Sequence, residues 1–391
     1  MTAIPKMRNG CCLTCMRLTS VTVRRESANL PTVTRVSAVQ WRSHDSNWID
    51  REVPPGLVTG LRTTALFRVI VGALVLVSSL SCVSARGRPP AAGAEFWGFT
   101  APWDARSDAS AAAHGAQMDV VVSGFIALDS ASLEPTEMFA DPLVRNNPAN
   151  GRRMALVTSY QGTRFHPETI RALASDATLM GKTAGNVATL LGSRGYRGLI
   201  LDFEGHTPAD IDALIQVSNA FGDSARAHGV SPAGMAIPAT DTASYPGRPL
   251  LGAVDFLVVM LYDQHWLTSP PGPIASPDWA MRALGLRSAD IGSSRVVAAF
   301  PAYGYEWRSD GATSVISFSD AEKLARDANV PLVRDPASST LHAEAPGWSL
   351  WVSDAVLLDS LVRGARRTGI TKFALWRLGL EDPRIWTTVV R

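Results

Sequence analysis

Gly198-Leu199-Ile200-Leu201-Asp202-Phe203-Glu204 decides how this chain is read. It begins as an apolar run and ends in two carboxylates. Along a strand, successive side chains point to opposite faces. Ile200, Asp202 and Glu204 therefore share one face, and Leu199, Leu201 and Phe203 share the other. The two carboxylates stand roughly two residues, ~7 Å, apart along the backbone. Close carboxylates raise one pKa, and the raised group can stay protonated as a general acid. An Asp-x-Glu alone is common, and its bland reading is one salt-bridged and one solvated carboxylate. The rest of the chain has to settle the matter.

Working outward, the apolar runs that read as strands are 95–100, 119–125, 153–159, 198–204, 234–238, 254–262, 295–303 and 372–377. Helical composition separates them. Residues 208–228 place Ile211, Leu214, Ile215 and Val217 at helical steps, and Ser319-Asp320-Ala321-Glu322 reads as a capping box opening a helix to about Ala328. Eight strands in about 300 residues, each followed by a crossover, predict an α/β fold, the (β/α)8 TIM barrel. A doubly wound open sheet is the alternative, weakened by the lack of a glycine-rich phosphate turn after the first strand. In a barrel the chemistry sits where the strands end. There the chain carries Asp202 and Glu204, then Met260, Tyr262, Asp263 and Gln264, then Tyr303, then Trp376.

Charge and cysteine usage divide the chain. Residues 1–90 hold 12 basic and 4 acidic side chains, whereas 91–391 hold 25 basic and 31 acidic. The larger part is mildly acidic, which argues against a nucleic-acid ligand. All four cysteines, Cys11, Cys12, Cys15 and Cys82, lie in the first part, so the rest can form no disulfide, cysteine zinc site or thiol nucleophile. Residues 1–57 lack periodicity and read as a disordered tail or an over-extended gene start, with translation beginning near Val58. In 58–82, Arg62 and Arg68 precede an uncharged apolar run from Val69 to Leu80 that closes on Ser81-Cys82. This is the order of a signal peptide, and the run is shorter than the ~20 residues of a spanning helix. Ser79-Leu80-Ser81-Cys82 also resembles a bacterial lipoprotein signal, with Cys82 the lipidated residue and Ser79 where a branched apolar residue is usual. Residues 83–93 read as a linker and 94–391 as the barrel. The chain is expected to be exported to the cell envelope, secreted or held at the membrane through its N-terminal anchor.

Taken together, the strand ends resemble glycoside hydrolase family 18, the chitinases and endo-N-acetylglucosaminidases. The family's fourth-strand signature is Asp-x-x-Asp-x-Asp-x-Glu, and residues 197–204 match its last half. Met260-Leu261-Tyr262-Asp263 matches the sixth-strand Met-x-Tyr-Asp. Phe300-Pro301-Ala302-Tyr303-Gly304-Tyr305-Glu306-Trp307 is similar to the seventh-strand segment, and Trp376 falls at the eighth-strand tryptophan. Tyr262-Asp263-Gln264-His265-Trp266, residues 271–276 and residues 375–383 resemble a bacterial branch. It contains spore-germination-type hydrolases and the hydrolase modules of glycosyltransferase–deacetylase proteins. The resemblance covers nearly all of 94–391. The pattern departs at Arg197 and Ile200, where the family has Asp. Ile200 leaves Asp202 without a lower carboxylate, so Asp202 is expected to stay turned toward Glu204. The segment from Tyr303 to Trp351 is short, which implies a reduced insertion after the seventh strand.

By resemblance, the substrate is an oligo- or polysaccharide containing β-1,4-linked N-acetylglucosamine, cleaved with the substrate's own acetamido group as nucleophile. Glu204 is then the acid, Asp202 orients the acetamido group and Tyr262 hydrogen-bonds it. Trp376 is the apolar platform, Asp263 and Gln264 contact hydroxyls, and Met260 and Tyr303 line the pocket. Trp97 stacks on sugar or caps the barrel. His206 and His265 lack a matched carboxylate cluster, so no metal and no cofactor is expected. The molecule is expected to act as a monomer. A catalytically inactive carbohydrate-binding protein is the alternative, and a scaffold domain of an exopolysaccharide system a third reading. The presence of Glu204 favours the enzyme.

Overall fold

The computed structural model describes residues 93–141 and 152–390. The expected tail, signal and linker, with the lipidation site Cys82, lie outside these residues apart from Gly93. Eight parallel strands form the centre. They run Glu95–Phe99, Val120–Leu128, Arg152–Thr158, Leu199–Asp202, Ala233–Pro238, Phe256–Met260, Val296–Pro301 and Lys372–Trp376. Neighbours in sequence are neighbours in the sheet, and the first strand pairs with both the second and the eighth. That closure makes a (β/α)8 barrel and excludes the open sheet, which would leave two edges. The strands coincide with the apolar runs of the sequence because each must be covered on both faces.

The alternation of side chains builds two cores. Leu199, Leu201 and Phe203 point outward and pack with the helices. Ile200 points inward with Trp97, Phe99, Val122 and Val258, filling the barrel below its mouth. The helix after the fourth strand runs Ile211–Ala227 behind a short turn at Pro208–Asp210, where Thr207 and Asp210 form a capping box. Its Leu214, Val217 and Phe221 face the outer core. The second strand carries a bulge between Val122 and Gly124. There Gly124 lies under Tyr196 so closely that a Cβ would sit 2.5 Å from the ring. The Tyr196 hydroxyl donates to Asp141 at 2.7 Å, as do Ser123 and Arg153. This buried carboxylate with three donors pins the second and third strands to the loop that leads into the fourth strand.

After the seventh strand the chain makes a compact excursion. Five short antiparallel strands between Gly304 and Val352 form one sheet with its own small core around Ile316, Phe318 and Leu350. The sequence implied a reduced insertion here, and its strands were not anticipated. A helix within it runs Phe318–Asp327 and is capped by Ser317, whose hydroxyl accepts from the Asp320 amide at 3.0 Å. The cap thus lies two residues before the Ser319 box read from the sequence.

Candidate active site

The barrel mouth opens into a cavity of about 440 Å³, lined by Asp202, Glu204, Tyr262, Asp263, Tyr303 and Trp376 among others. Asp202 ends the fourth strand, with Ile200 buried beneath it. Where Ile200 removes a lower acid, a hydroxyl from the neighbouring strand takes over. Thr158 is the register partner of Asp202. Its hydroxyl lies 2.9 Å from Asp202 Oδ2 and 3.1 Å from the Asp202 carbonyl oxygen, and it accepts the Tyr160 amide at 3.0 Å. Asp202 and Glu204 are also hydrogen-bonded to each other.

Electrostatics separate the two acids. Burial raises the Asp202 pKa, against the opposing bonds from Thr158 and Glu204, to about 6. Glu204 rises well above the usual carboxylate range, first through burial and then through the charges of Asp202 and Asp263. A close pair whose pKa values are pushed up together titrates as one unit that holds a proton between its members. Glu204 is the member that keeps it.

Facing the pair are groups from the sixth, seventh and eighth strands. Tyr262 stacks on Trp376, with ring centroids 6.2 Å apart and planes 13° from parallel. Burial and the nearby carboxylates push its hydroxyl well up, so it stays a hydrogen-bond donor. Asp263 follows in a left-handed backbone conformation, φ 57°, one that Asp tolerates better than most side chains. Its Oδ1 accepts from the hydroxyls of Tyr303 and Tyr305, the latter at 2.9 Å. Met260 lines the cavity floor.

Two expected contacts are elsewhere. Gln264 does not line the cavity: its side-chain oxygen accepts the Ser276 amide at 2.8 Å and its own amide donates to Ile274. It braces the loop that carries Tyr262 and Asp263. Trp97 is 2% exposed and lies edge-on to Phe256 inside the barrel. It shares a face with Phe99, which does line the cavity, but sits one layer lower. His206 is buried with Nδ1 3.8 Å from Asp210, and His265 bonds the Pro270 carbonyl on a loop. Two lining residues were given no role from the sequence: Tyr305 and Arg377. Thr158, which does not line the cavity, was also missed, although the strand register alone would have paired it with Asp202.

No family model matches the chain. It is 23% identical over 286 residues to the cortical fragment-lytic enzyme of Bacillus anthracis, covering 67% of this chain and 64% of that protein. The spore cortex-lytic enzyme SleL of Bacillus cereus superposes with a TM-score of 0.68 at 19% identity, over 76% of this chain and 74% of that one. A glycoside hydrolase family 18 chitinase from Cycas revoluta, solved with (GlcNAc)3, superposes with a TM-score of 0.63 at 17% identity, over 75% and 97%. The likeness to these solved structures is one of fold. The chain spans less than two thirds of the length of the Bacillus anthracis relative. Asp202 and Glu204, Met260, Tyr262 and Asp263, Tyr303 and Tyr305, and Trp376, at or just past the ends of the fourth, sixth, seventh and eighth strands, line one cavity.

Proposed function

We propose that this chain is a glycosidase that cleaves β-1,4-linked glycans containing N-acetylglucosamine, with retention of configuration and with the substrate's acetamido group as nucleophile. The observation that carries this is the hydrogen-bonded Asp202–Glu204 pair at the barrel mouth, facing Tyr262 and the Trp376 platform. The relatives' names and the glycan bound to the Cycas chitinase support the substrate class.

In this mechanism the sugar to be cut rests on Trp376. Glu204 gives its proton to the glycosidic oxygen as the bond to the anomeric carbon breaks. The acetamido carbonyl oxygen attacks that carbon from the other face and forms an oxazolinium ion. Asp202 holds the amide N–H and balances the positive charge, while the Tyr262 hydroxyl donates to the acetamido group. Water, deprotonated by Glu204, then opens the ring and restores the acid. Two inversions leave the β-configuration. The scheme needs one strong acid and groups that grip an amide, which is what this mouth supplies. Asp263, Met260 and Tyr303 complete the walls.

An inactive, carbohydrate-binding reading draws on Ile200 in place of the lower acid. Thr158 supplies the missing bond to Asp202, so the enzyme reading stands. Glu204→Gln tests it: the change deletes the proton and keeps the shape. Hydrolysis of chitooligosaccharides should vanish while their binding persists. Undiminished turnover would overturn the assignment. We further propose export, with a lipid on Cys82. Palmitate labelling should then be lost in Cys82→Ala, and labelling that survives would count against it.

A further inference from the structure

Glu204 stands on a bend, and a side chain from another loop holds that bend open. Past the fourth strand the chain turns at Gly205, whose φ is 80°, a conformation that glycine adopts without strain. Of the four residues from Phe203 to His206, Glu204 is the second. In a closed turn the carbonyl of the first residue takes the amide of the fourth directly. Here the Tyr245 hydroxyl is inserted between them. It donates to the Phe203 carbonyl at 3.0 Å and accepts the His206 amide at 3.2 Å. One hydroxyl thus grips the backbone on both sides of the catalytic acid.

The prop is itself fixed. Tyr245 is buried and lies on the loop after the fifth strand. Arg287, on the helix Pro277–Ile291, is fully buried against that loop and spends its donors on main-chain carbonyls. Nη1 donates to Tyr245 at 2.7 Å, Nη2 to Asp241 at 2.8 Å, and Nε is shared by Pro238 and Ala239 at 3.2 Å. Burial raises the Tyr245 pKa, against the His206 amide and with the charges of Glu204 and Asp202, so the hydroxyl keeps the proton it donates.

Neither neighbour in the bend takes over this work. The His206 ring is buried with neither nitrogen hydrogen-bonded, and Asp210 lies 3.8 Å from Nδ1. Burial holds the His206 pKa below its ordinary value, so the imidazole packs as a neutral ring, edge-on to Tyr245 with centroids 6.3 Å apart. Space does not dictate Gly205 either, since a Cβ there would meet Pro167 at 3.7 Å, an ordinary contact. Tyr245 is not among the residues that line the cavity. Its route to the chemistry runs through the backbone of Glu204.

We propose that Tyr245 is the positioning residue of the catalytic acid: its hydroxyl props the bend at 203–206 open and so sets where the Glu204 carboxyl stands against Asp202 and the bond to be cut. Without that hydroxyl the Phe203 carbonyl and the His206 amide lose their shared partner and close toward each other, which turns the Glu204 side chain off the line of proton transfer. A displacement of about 1 Å can cost on the order of 100-fold in rate. This rests on the glycosidase reading above and adds a residue to it.

The test is Tyr245→Phe in the full-length protein, on two substrates that need the acid to different degrees. Chitotetraose expels a sugar alkoxide, which must be protonated as it leaves. Dinitrophenyl β-chitobioside expels a stable phenolate, which needs no proton. The ratio kcat/KM, which ends at the first irreversible bond cleavage, should fall roughly 10- to 100-fold on chitotetraose and less than about threefold on the dinitrophenyl glycoside. On chitotetraose kcat should fall with it and KM should stay in place. An equal fall on both substrates, or undiminished turnover of chitotetraose by the folded variant, would overturn the proposal. Should Tyr245→Phe fail to fold, Gly205→Ala strains the same bend from within, and the same contrast between the substrates decides. Wild-type turnover of both substrates with an equal loss in the variant would sink the positioning role and leave the glycosidase reading. No turnover of either substrate by the wild-type protein would sink both.

Discussion

Replacing Thr158 with valine removes one hydroxyl and keeps the branched shape. That hydroxyl donates to Asp202 Oδ2 at 2.9 Å and stabilises the ionised form of Asp202. A hydrogen bond to a charged group is worth about 1.5–3 kcal/mol, and about 1.4 kcal/mol corresponds to one pKa unit. Without it, the ionisation that now falls at about 6 should move up by roughly one to two units. The acid limb of the kcat/KM profile, which reports the free enzyme, should move up with it. Because Asp202 and Glu204 titrate together, the shift belongs to the pair. Valine also leaves the Tyr160 amide without its acceptor, at a stability cost of about 1–3 kcal/mol, so the profile should be taken well below the melting point. Carbon-13 titration of the aspartate carboxyls gives an independent reading. A limb that stays in place, or moves down, in a folded variant would refute the role given to Thr158.

Asp202→Asn should raise thermal stability at neutral pH. The folded pKa of about 6 lies above the ordinary aspartate value of 3.8, so folding favours the protonated form. The wild-type penalty is absent below about 4, grows as the pH rises to 6 and is complete above it. Melting curves from pH 4 to 8 should show the variant's advantage opening across that window, and a constant or reversed difference would count against the buried dyad. Arg153→Leu should destabilise the fold by about 3–5 kcal/mol, because it leaves the buried Asp141 without its cation. Denaturant titration would show it, and a loss under about 1 kcal/mol would mean that the Ser123 and Tyr196 hydroxyls suffice.

What the sequence yielded and what it withheld have physical reasons. The eight barrel strands were legible because each is an apolar run buried on both faces. The strands of the insertion were not. Gly304–Arg308 and Leu341–Ala345 are short and mix charges with apolar residues, so no sustained pattern marks them. Glu204, Asp202 and Tyr262 could be read as one site because they lie at strand ends, where barrel chemistry collects. Thr158 needed one more step, the register that sets it beside Asp202. Trp97 shows the limit of parity: it faces the interior as Phe99 does, yet lies a layer too deep to meet a ligand. Gln264 shows that nearness to a strand end fixes neither direction nor partner, since a backbone amide claims its side chain. Arg377 escaped because strict alternation from Trp376 turns it away from the sugar, whereas the strand stops at Trp376 and the chain bends back to the mouth.

The central claim is that the acetamido oxygen, not a protein carboxylate, attacks the sugar, and the anomer first released tests it most directly. Proton NMR during the opening minutes of chitotetraose hydrolysis should show the β-anomer in excess, decaying afterwards to the mutarotation equilibrium. The de-N-acetylated tetrasaccharide, which lacks the nucleophile, should turn over far more slowly at saturation. An α-anomer appearing first, or equal turnover of the de-N-acetylated substrate, would contradict the account even with hydrolysis established.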